Sequence, residues 1–476
     1  MPETIIAGQV ISFPDGGVVP DLGEILDGPD SDLQWAIDKI RKRLPLVNTA
    51  TDYIEGRHAL AFATDKWKTT FGKTFAAFSD NLCPRVVNTK ADRLQLAGIR
   101  VLRGGKPDKE LSVRVMRAYE RARLDRRQGN VHKAALTHGD AYVIVWPDEE
   151  GRARLFINKA DKVVVRWSED DPGAVDLAAK VWRRRDKKVR VNLYYEDRIE
   201  KYVTVTTTQG GIPEKAKGRF ERHTDEGEEW PLNHDLGRVP VVAFPNDADE
   251  GEDGVSELRD AIPIQDALNK TNADMLIAEE FAGFPQRWAI GLEEEIDEET
   301  QKPIPPMKTG IERMVVSDDP NTRFGQFDPA DLTKFIAAAD SWRGEMARVT
   351  GTPLHYLLMS GDFPSGEALE LADAPLTAAV KDRQASFGSS WEEVAMLMLR
   401  VEDTSLATQL DDEDVLVQAV WRSTSAKSGK QEAETQEIKQ RIGVSERQSL
   451  REMGYTDDEI ESMQEEADEE AGDVAA

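Results

Sequence analysis

The stretch from Asp328 to Pro353 is punctuated as one helix at both ends, and few other stretches of this chain leave so little choice. Asp328 is a good N-cap, Pro329 suits the first helical position, and Asp331 sits near the positive helix end. Leu332, Phe335, Ala339, Trp342, Met346 and Val349 follow at 3-4-3-4-3 spacing, which makes a seam for packing against other helices. Gly351 and Pro353 end it. The same periodicity also describes a buried helix inside one globular core.

A partner helix is expected upstream. Asp253-Gly254-Val255-Ser256-Glu257-Leu258 offers two N-caps, Ser256 and Asp253. Val255, Leu258, Ile262, Leu268 and Met275 give an approximate apolar face, with Gln265, Asn269 and Asn272 among them. Gly283 and Pro285 predict a stop near Phe281, and Pro263 can bend the helix near its start. Residues 284–327 form a separate insert. It holds strand candidates at Gln286–Ile290 and Ile311–Val316, an acidic run from Glu293, Glu294 and Glu295 to Glu299, and Pro303, Pro305 and Pro306.

Around this helix–insert–helix unit the pattern changes several times. Residues 1–30 read as a flexible arm rich in Gly, Pro and Asp. From Ser31 the pattern is helical, carried by Trp35, Ile37, Ile40 and Leu44, and it continues to about Asn130 with a short strand near Ile99–Leu102. Leu111–Leu124, rich in Arg, reads as one helix. Ala141–Trp146 then opens a series of strand-like runs: Ala153–Ile157, Lys162–Trp167, Leu177–Arg183, Val189–Tyr195 and Lys201–Thr207. Their spacing predicts an antiparallel meander. Arg238–Pro245 is a last strand in this region. Residues 353–366 form a loop, and a long helix is expected from about Glu367 to Val401 with Pro375 inside it. Leu416–Trp421 reads as a strand, Gln431–Arg441 and Ser445–Met453 as short helices. From Thr456 onward there are ten acidic residues and no basic one, a solvated tail.

Composition narrows the functional classes. The 476 residues allow two or three domains, and 39% apolar residues supply cores for them. The formal charge of −28 repels nucleic acid and anionic membrane at long range, and it equally suits a surface that must let DNA pass without gripping it. Cys83 is the only cysteine, so an intrachain disulfide and a Cys-rich zinc site are excluded. The first residues lack the basic and apolar regions of a signal peptide, and no apolar stretch approaches the ~20 residues that span a bilayer.

Catalytic motifs in the chain are weak. Phe71-Gly72-Lys73-Thr74 resembles the end of a phosphate-binding loop, but Trp67 stands where that loop needs its first Gly. Thr137-His138-Gly139-Asp140 can be read as an acid/base pair or as a tight turn that needs Gly139; the turn is preferred. No two of the six His have zinc-protease spacing. The acidic run lacks the spaced ligands of a calcium loop. Arg117, Arg121, Arg123, Arg126 and Arg127 crowd one helix, and Arg183-Arg184-Arg185 with Lys187-Lys188 fill a hairpin-like turn. In so acidic a chain these are expected to meet acidic neighbours, with phosphates as the alternative.

Gly237-Arg238-Val239-Pro240-Val241-Val242 leading to Gly254-Val255-Ser256-Glu257-Leu258, and then Ser365-Gly366-Glu367-Ala368-Leu369, resembles the portal proteins of tailed bacteriophages. The type is that of siphophages of Gram-positive and actinobacterial hosts. The order of elements matches over roughly residues 30–425. The resemblance implies an α+β portal fold with wing, stem, clip and crown regions, assembling into a ring of typically twelve subunits at one capsid vertex. DNA would be packaged and ejected through that ring. The implied division is an arm at 1–30, wing at 31–252, first stem helix at 253–283, clip at 284–327, second stem helix at 328–352, tunnel loop at 353–366, a long wing helix and return strand at 367–424, crown helices at 425–455 and the tail at 456–476.

The resemblance also assigns roles. Lys270, Lys334, Arg343 and Arg348 would meet DNA in the channel, and His355, Tyr356, Asp362 and Phe363 would belong to the tunnel loop. Glu293, Glu294, Glu295 and Arg313 would lie on the clip surface. Leu332, Phe335, Trp342 and Met346 would form the seam between subunits. It implies a virion protein assembled in the host cytoplasm, with no enzymatic activity, no cofactor, no metal and no membrane. Its partners would be other copies of itself, the major capsid protein, scaffold, terminase large subunit, a head-tail connector or adaptor, and non-specific double-stranded DNA. The alternatives are another phage head or adaptor subunit, or a metal-dependent phage nuclease.

Overall fold

In the computed structural model of the chain, the described residues are 4–6, 9–11, 29–58, 69, 80–208, 211–224, 229–283, 287–290, 320–328, 330–358, 366–406, 410, 414–424 and the single positions 441, 445, 450, 460 and 463. They divide into two compact units. The first comprises Met1–Glu55, Cys83–Arg259 and Asp362–Ala476; the second comprises Gly56–Leu82 and Asp260–Gly361.

In the first unit, β1 (Thr4–Ile6) and β2 (Gln9–Ile11) pair antiparallel within the expected arm. Helix α1 (Pro29–Ile54) follows, then α2 (Cys83–Ala91), in which Cys83 is fully buried. Strands β3 (Leu96–Arg103) and β4 (Lys106–Pro107) precede α3 (Lys109–Arg121) and α4 (Leu124–His138). The Arg-rich region is thus two helices and not one. The chain breaks at Arg123, whose backbone is left-handed (φ 51°, ψ 46°), and the break lets Val115 and Leu124 both reach the core. Asp108 caps α3 by accepting from the Leu111 amide at 3.1 Å.

The strand-like runs are all strands, but they divide between two sheets. These are β5 (Asp140–Pro147), β6 (Ala153–Lys159), β7 (Val163–Trp167), β8 (Val175–Arg183), β9 (Val189–Tyr194), β10 (Arg198–Thr204), β11 (Phe220–Arg222), β12 (Leu232–Asn233) and β13 (Val241–Pro245). A meander runs in order β11-β10-β9-β8-β7, with β12 also on β10, while β13-β5-β6 forms a separate sheet. The reason lies in β5. Its residues Ala141–Val145 are buried on both faces, so the strand needs a neighbour along each edge and cover above and below. Strand β13 supplies the second edge, with Val241 opposite Ile144 and Phe244 opposite Ala141.

Alternation along the meander builds two cores. Leu177, Ala179 and Val181 on β8, with Val189, Val191 and Leu193 on β9, face Leu33, Ala36, Ile37 and Ile40 of α1. Ala178 and Tyr194 point to the opposite face and pack with Tyr142, Ile144, Val163, Val165 and Val241. The helix α7 (Gly366–Glu402) covers the β13-β5-β6 sheet, where Trp391 meets Phe244 with ring centroids 4.8 Å apart. Strand β16 (Val415–Trp421) pairs with β3.

The second unit is built on two helices, α5 (Ala261–Gly283) and α6 (Leu332–Thr350), and an antiparallel pair, β14 (Arg287–Ile290) with β15 (Arg323–Gln326). Helix α5 begins about five residues later than its sequence suggests, and neither expected residue caps it. Residues 253–257 are held within the first unit instead. Asp253 pairs with Lys39 at 2.9 Å, the Gly254 amide donates to Asp140 Oδ1 at 3.0 Å, the Ser256 hydroxyl donates to the Thr137 carbonyl at 2.5 Å, and the Glu257 amide donates to the Leu136 carbonyl at 2.9 Å. The cap of α6 shifts as well. Asp331 accepts from the Thr333 amide at 3.1 Å and not Asp328, while Gly351 ends the helix in the left-handed conformation (φ 64°). The expected strand at Ile311–Val316, the Phe71–Thr74 segment and, apart from Arg441, Ser445 and Leu450, the short helices after residue 430 lie outside the described residues.

Candidate functional site

The helix pair α5 and α6 holds most of the site residues that can be described. One stripe of α6 is committed to its own unit: Ala339 and Met346 are buried, and the Thr350 hydroxyl donates to the Met346 carbonyl at 2.7 Å. The two helices are tied by the Trp342 indole, which donates to Thr271 Oγ1 at 3.2 Å. The rest of the seam does not close inside the unit. Leu332 and Phe335 are half-buried, and Trp342, Val349 and the neighbouring Ile336 are exposed, Ile336 by 52%. The 3-4 seam therefore has an inner half and an outer half.

On α5, Gln265 is fully buried and reaches residues 80–82: it accepts from the Leu82 amide at 2.9 Å and donates to the Asp80 carbonyl at 2.6 Å. Asn269 meets His58 Nδ1 at 2.6 Å. Gln265 and Asn269 thus anchor the segment before α2.

The four basic residues fall into different environments. Arg343 donates to Asp80 at 2.6 Å and to Asp340 at 2.7 Å. Burial works against its charge, but the hydrogen bonds and charges of those two carboxylates outweigh burial and hold the guanidinium above its ordinary pKa. Arg348 pairs with Glu345 at 2.6 Å, one turn away on an exposed face. Lys270 pairs with Asp274 one turn ahead. Lys334 is exposed and has no ion pair among the described residues. Asp80, which supplies half of the Arg343 clamp, carries no sequence signal: it lies 263 residues away.

Beyond α6, Leu354–Tyr356 form a single 3-10 turn in which the His355 and Tyr356 rings lie 4.3 Å apart, and Leu357 is buried. Asp362 and Phe363, and the whole proposed clip surface of Glu293, Glu294, Glu295 and Arg313, lie outside the described residues.

The motif read as a turn or an acid/base pair at 137–140 forms a junction. Gly139 caps α4 at φ 91°. His138 Nδ1 meets the Ala134 carbonyl at 3.1 Å and its Nε2 meets Thr51 Oγ1 at 3.1 Å, while Asp140 is bonded to Arg43. Burial, with Lys159 and Arg43 nearby, lowers the His138 pKa to about 4. His138 and Asp140 thus serve different partners. The Arg-rich region also meets carboxylates: Arg121 pairs with Glu402 and Arg114 with Asp403 at 3.2 Å. Among the described residues no three His, Cys, Asp or Glu side chains gather as a metal site, and no helix is long and apolar enough to cross a membrane.

The chain is 27% identical over 408 residues to the portal protein of Mycobacterium phage L5, covering 82% of this chain and 78% of that one. It is 28% identical over 408 residues to the portal protein of Mycobacterium phage D29, covering 82% and 79%. A chain in the virion of a native gene transfer agent particle aligns over 87% of this chain and all of its own, at 15% identity and a TM-score of 0.43. The family model described as "Phage portal protein, SPP1 Gp6-like" matches residues 33–473. Such proteins are structural components of the virion, form rings and are not enzymes. The chain belongs to the SPP1 Gp6-like family of phage portal proteins.

Proposed function

We infer that α5 and α6 form the channel wall of a ring of twelve copies, through which double-stranded DNA enters and leaves the head. In this reading residues 284–327 are the clip, docking the terminase large subunit during packaging and the head-tail connector afterwards. The first unit forms the wing against the major capsid protein and scaffold, and residues 425–455 form the crown. Assembly takes place in the host cytoplasm before the ring becomes part of the virion.

The observation that carries this reading is the split seam of α6. A helix whose buried stripe is satisfied within its own unit, and which still exposes Trp342 and Val349 side by side two turns apart, has a second face to cover. In a closed ring every subunit offers that face to the next, so the cover is another copy of the same chain. The charges fit a wall that passes DNA. Arg343, Arg348 and Lys270 are each neutralised by a carboxylate on or beside their own helix, which shortens the reach of their attraction for phosphates. Lys334 then remains as the phosphate contact on these helices.

Imaging of the purified protein by negative stain, together with its mass, tests the reading. Twelve copies of a 53.1 kDa chain give a ring of about 0.6 MDa with an axial hole wide enough for duplex DNA. A chain that stays monomeric in the presence of scaffold and capsid protein overturns it. Within the ring, Lys334→Ala should reproduce most of any packaging defect of the quadruple alanine variant at Lys270, Lys334, Arg343 and Arg348. If that quadruple variant packages and retains DNA normally, the assignment of these residues to the channel fails.

A further inference from the structure

The chain carries a formal charge of −28, yet one surface of the first unit reverses that sign. The tip of the β8–β9 hairpin presents Arg183, Arg184, Arg185, Lys187 and Lys188, and the loop after β10 presents Lys215, Lys217 and Arg219. Over 183–188 and 211–219 there are eight basic residues and two acidic ones. All but Lys188 of the eight are exposed.

Hydrogen bonds to backbone carbonyls tie the hairpin tip to the loop after β10. The Thr208 amide and hydroxyl both donate to the Lys187 carbonyl, at 3.0 and 3.1 Å, and Arg183 donates to the Thr208 carbonyl at 2.6 Å. The two acidic side chains are already engaged: Asp186 Oδ1 accepts from the Lys188 amide at 2.9 Å to close the turn, and Glu214 lies 3.9 Å from Arg41. Beside the tip is a cleft of about 510 Å³ whose lining includes Thr204, Thr206, Thr207, Thr208, Lys215 and Lys217.

We propose that this surface binds the sugar–phosphate backbone of duplex DNA without regard to sequence, as a site separate from α5 and α6. Hydroxyl and cationic donors side by side are the groups that contact phosphate oxygens. A protein partner would need different chemistry: interface cores are depleted in Lys and built on aromatic or large apolar anchors, and Val205 is the one large apolar side chain exposed in this loop among the described residues. The net charge of the chain does not forbid the contact. At physiological salt, charges more than about 8 Å from a phosphate are largely screened, so a phosphate seated here responds to the local cations.

Covalently closed circular DNA separates this site from the channel, since a closed circle cannot be threaded through an assembled ring. Binding of a relaxed closed circle to the full-length protein would be measured from 50 to 200 mM salt for the unaltered chain, for the triple variant Arg184→Ala/Arg185→Ala/Lys187→Ala, and for Lys106→Ala. The unaltered protein and Lys106→Ala, which removes one exposed cation elsewhere on the first unit, should bind alike. The triple variant should bind at least roughly tenfold more weakly near 150 mM, with a log–log salt slope shallower by about 3, close to one per phosphate contact removed. No binding by the unaltered protein at 150 mM, or equal binding by the triple variant, overturns the proposal. So does displacement of the circle by equimolar poly-glutamate, which would assign the surface to an acidic protein. The triple variant leaves α5 and α6 untouched, so failure here is distinct from failure of the channel assignment.

Discussion

Gly139 and Gly254 meet backbone to backbone: a Cβ placed on Gly139 would lie 2.2 Å from the Gly254 carbonyl oxygen, and one on Gly254 would lie 2.0 Å from the Gly139 carbonyl oxygen. Neither obstacle is a side-chain end that could turn aside. Gly139 is in addition held at φ 91°, where an L side chain is strained. Gly139→Ala and Gly254→Ala should each destabilise the chain by roughly 2 kcal/mol or more, since both overpacking and backbone strain fall in that range. A fall in the midpoint of denaturant unfolding checks this; a change within about 0.5 kcal/mol, typical of neutral surface sites, would show that the contact can relax.

The same junction contains a buried ion pair. Arg43 bonds Asp140 and donates to the Tyr142 hydroxyl at 2.9 Å, with Asp253 3.6 Å away. Burial opposes the Arg43 charge, but Tyr142, Asp140 and Asp253 together raise its pKa above the ordinary value. Arg43→Met should cost about 3–5 kcal/mol, because it strands the Asp140 carboxylate in the core. Adding Asp140→Asn should recover part of that loss. A double-mutant cycle on unfolding free energies gives the coupling, and near-zero coupling would contradict the pairing.

His132 makes stability depend on pH. Its Nε2 accepts from the Trp391 indole at 2.9 Å, and an indole only donates, so the ring proton sits on Nδ1 and donates to the Leu94 carbonyl at 3.1 Å. Full burial lowers the pKa from 6.5 to about 4, with the Leu94 bond opposing weakly. Between those values the unfolded chain binds the proton and the folded chain does not. The contribution is therefore complete above pH 6.5 and is lost as pH falls through about 4. It amounts to roughly 3 kcal/mol at most. Relative to the unaltered chain, His132→Gln should show a shallower fall in stability between pH 6.5 and 4, measured by denaturant titration; parallel curves would rule His132 out as the source.

Trp342 separates a contact within the unit from one between copies. Thr271→Val removes the acceptor of its indole and should cost about 1 kcal/mol of stability while leaving the ring intact. Trp342→Ala removes the exposed ring as well. A buried interface Trp is worth 2 kcal/mol or more, so the concentration needed for assembly should rise roughly 30-fold. Native mass spectrometry over a dilution series reads both variants, and equal assembly by the two would remove Trp342 from the seam between subunits.

Much of the fold can be read locally, because its signals are local. Ala141–Trp146 is β-branched and aromatic and is a strand; Gly351 and Pro353 mark a helix end that lies where they place it. Errors arose where two local choices have similar energies. Asp328 and Asp331 are both sound caps, and only the backbone decides between them. The break at Arg123 has no Gly or Pro to announce it, since burial of Leu124 drives it. The division of the strands into two sheets depends on β13, which returns to β5 about 95 residues later in the chain. For the candidate site, the identity of the basic residues was legible and their environment was not. Arg343 is neutralised by Asp80, a pairing that exists only once the chain has folded.

Cys83 is the chain's only cysteine and is fully buried in α2. Ordinary thiol reagents therefore meet an inert surface on the folded protein. A cysteine introduced at Ile336 or Lys334 becomes the single reactive handle on each subunit without a prior cysteine-removal step. Dyes or spin labels attached there would report distances between equivalent points on neighbouring copies, turning the closure of the ring into a spacing measurable in solution.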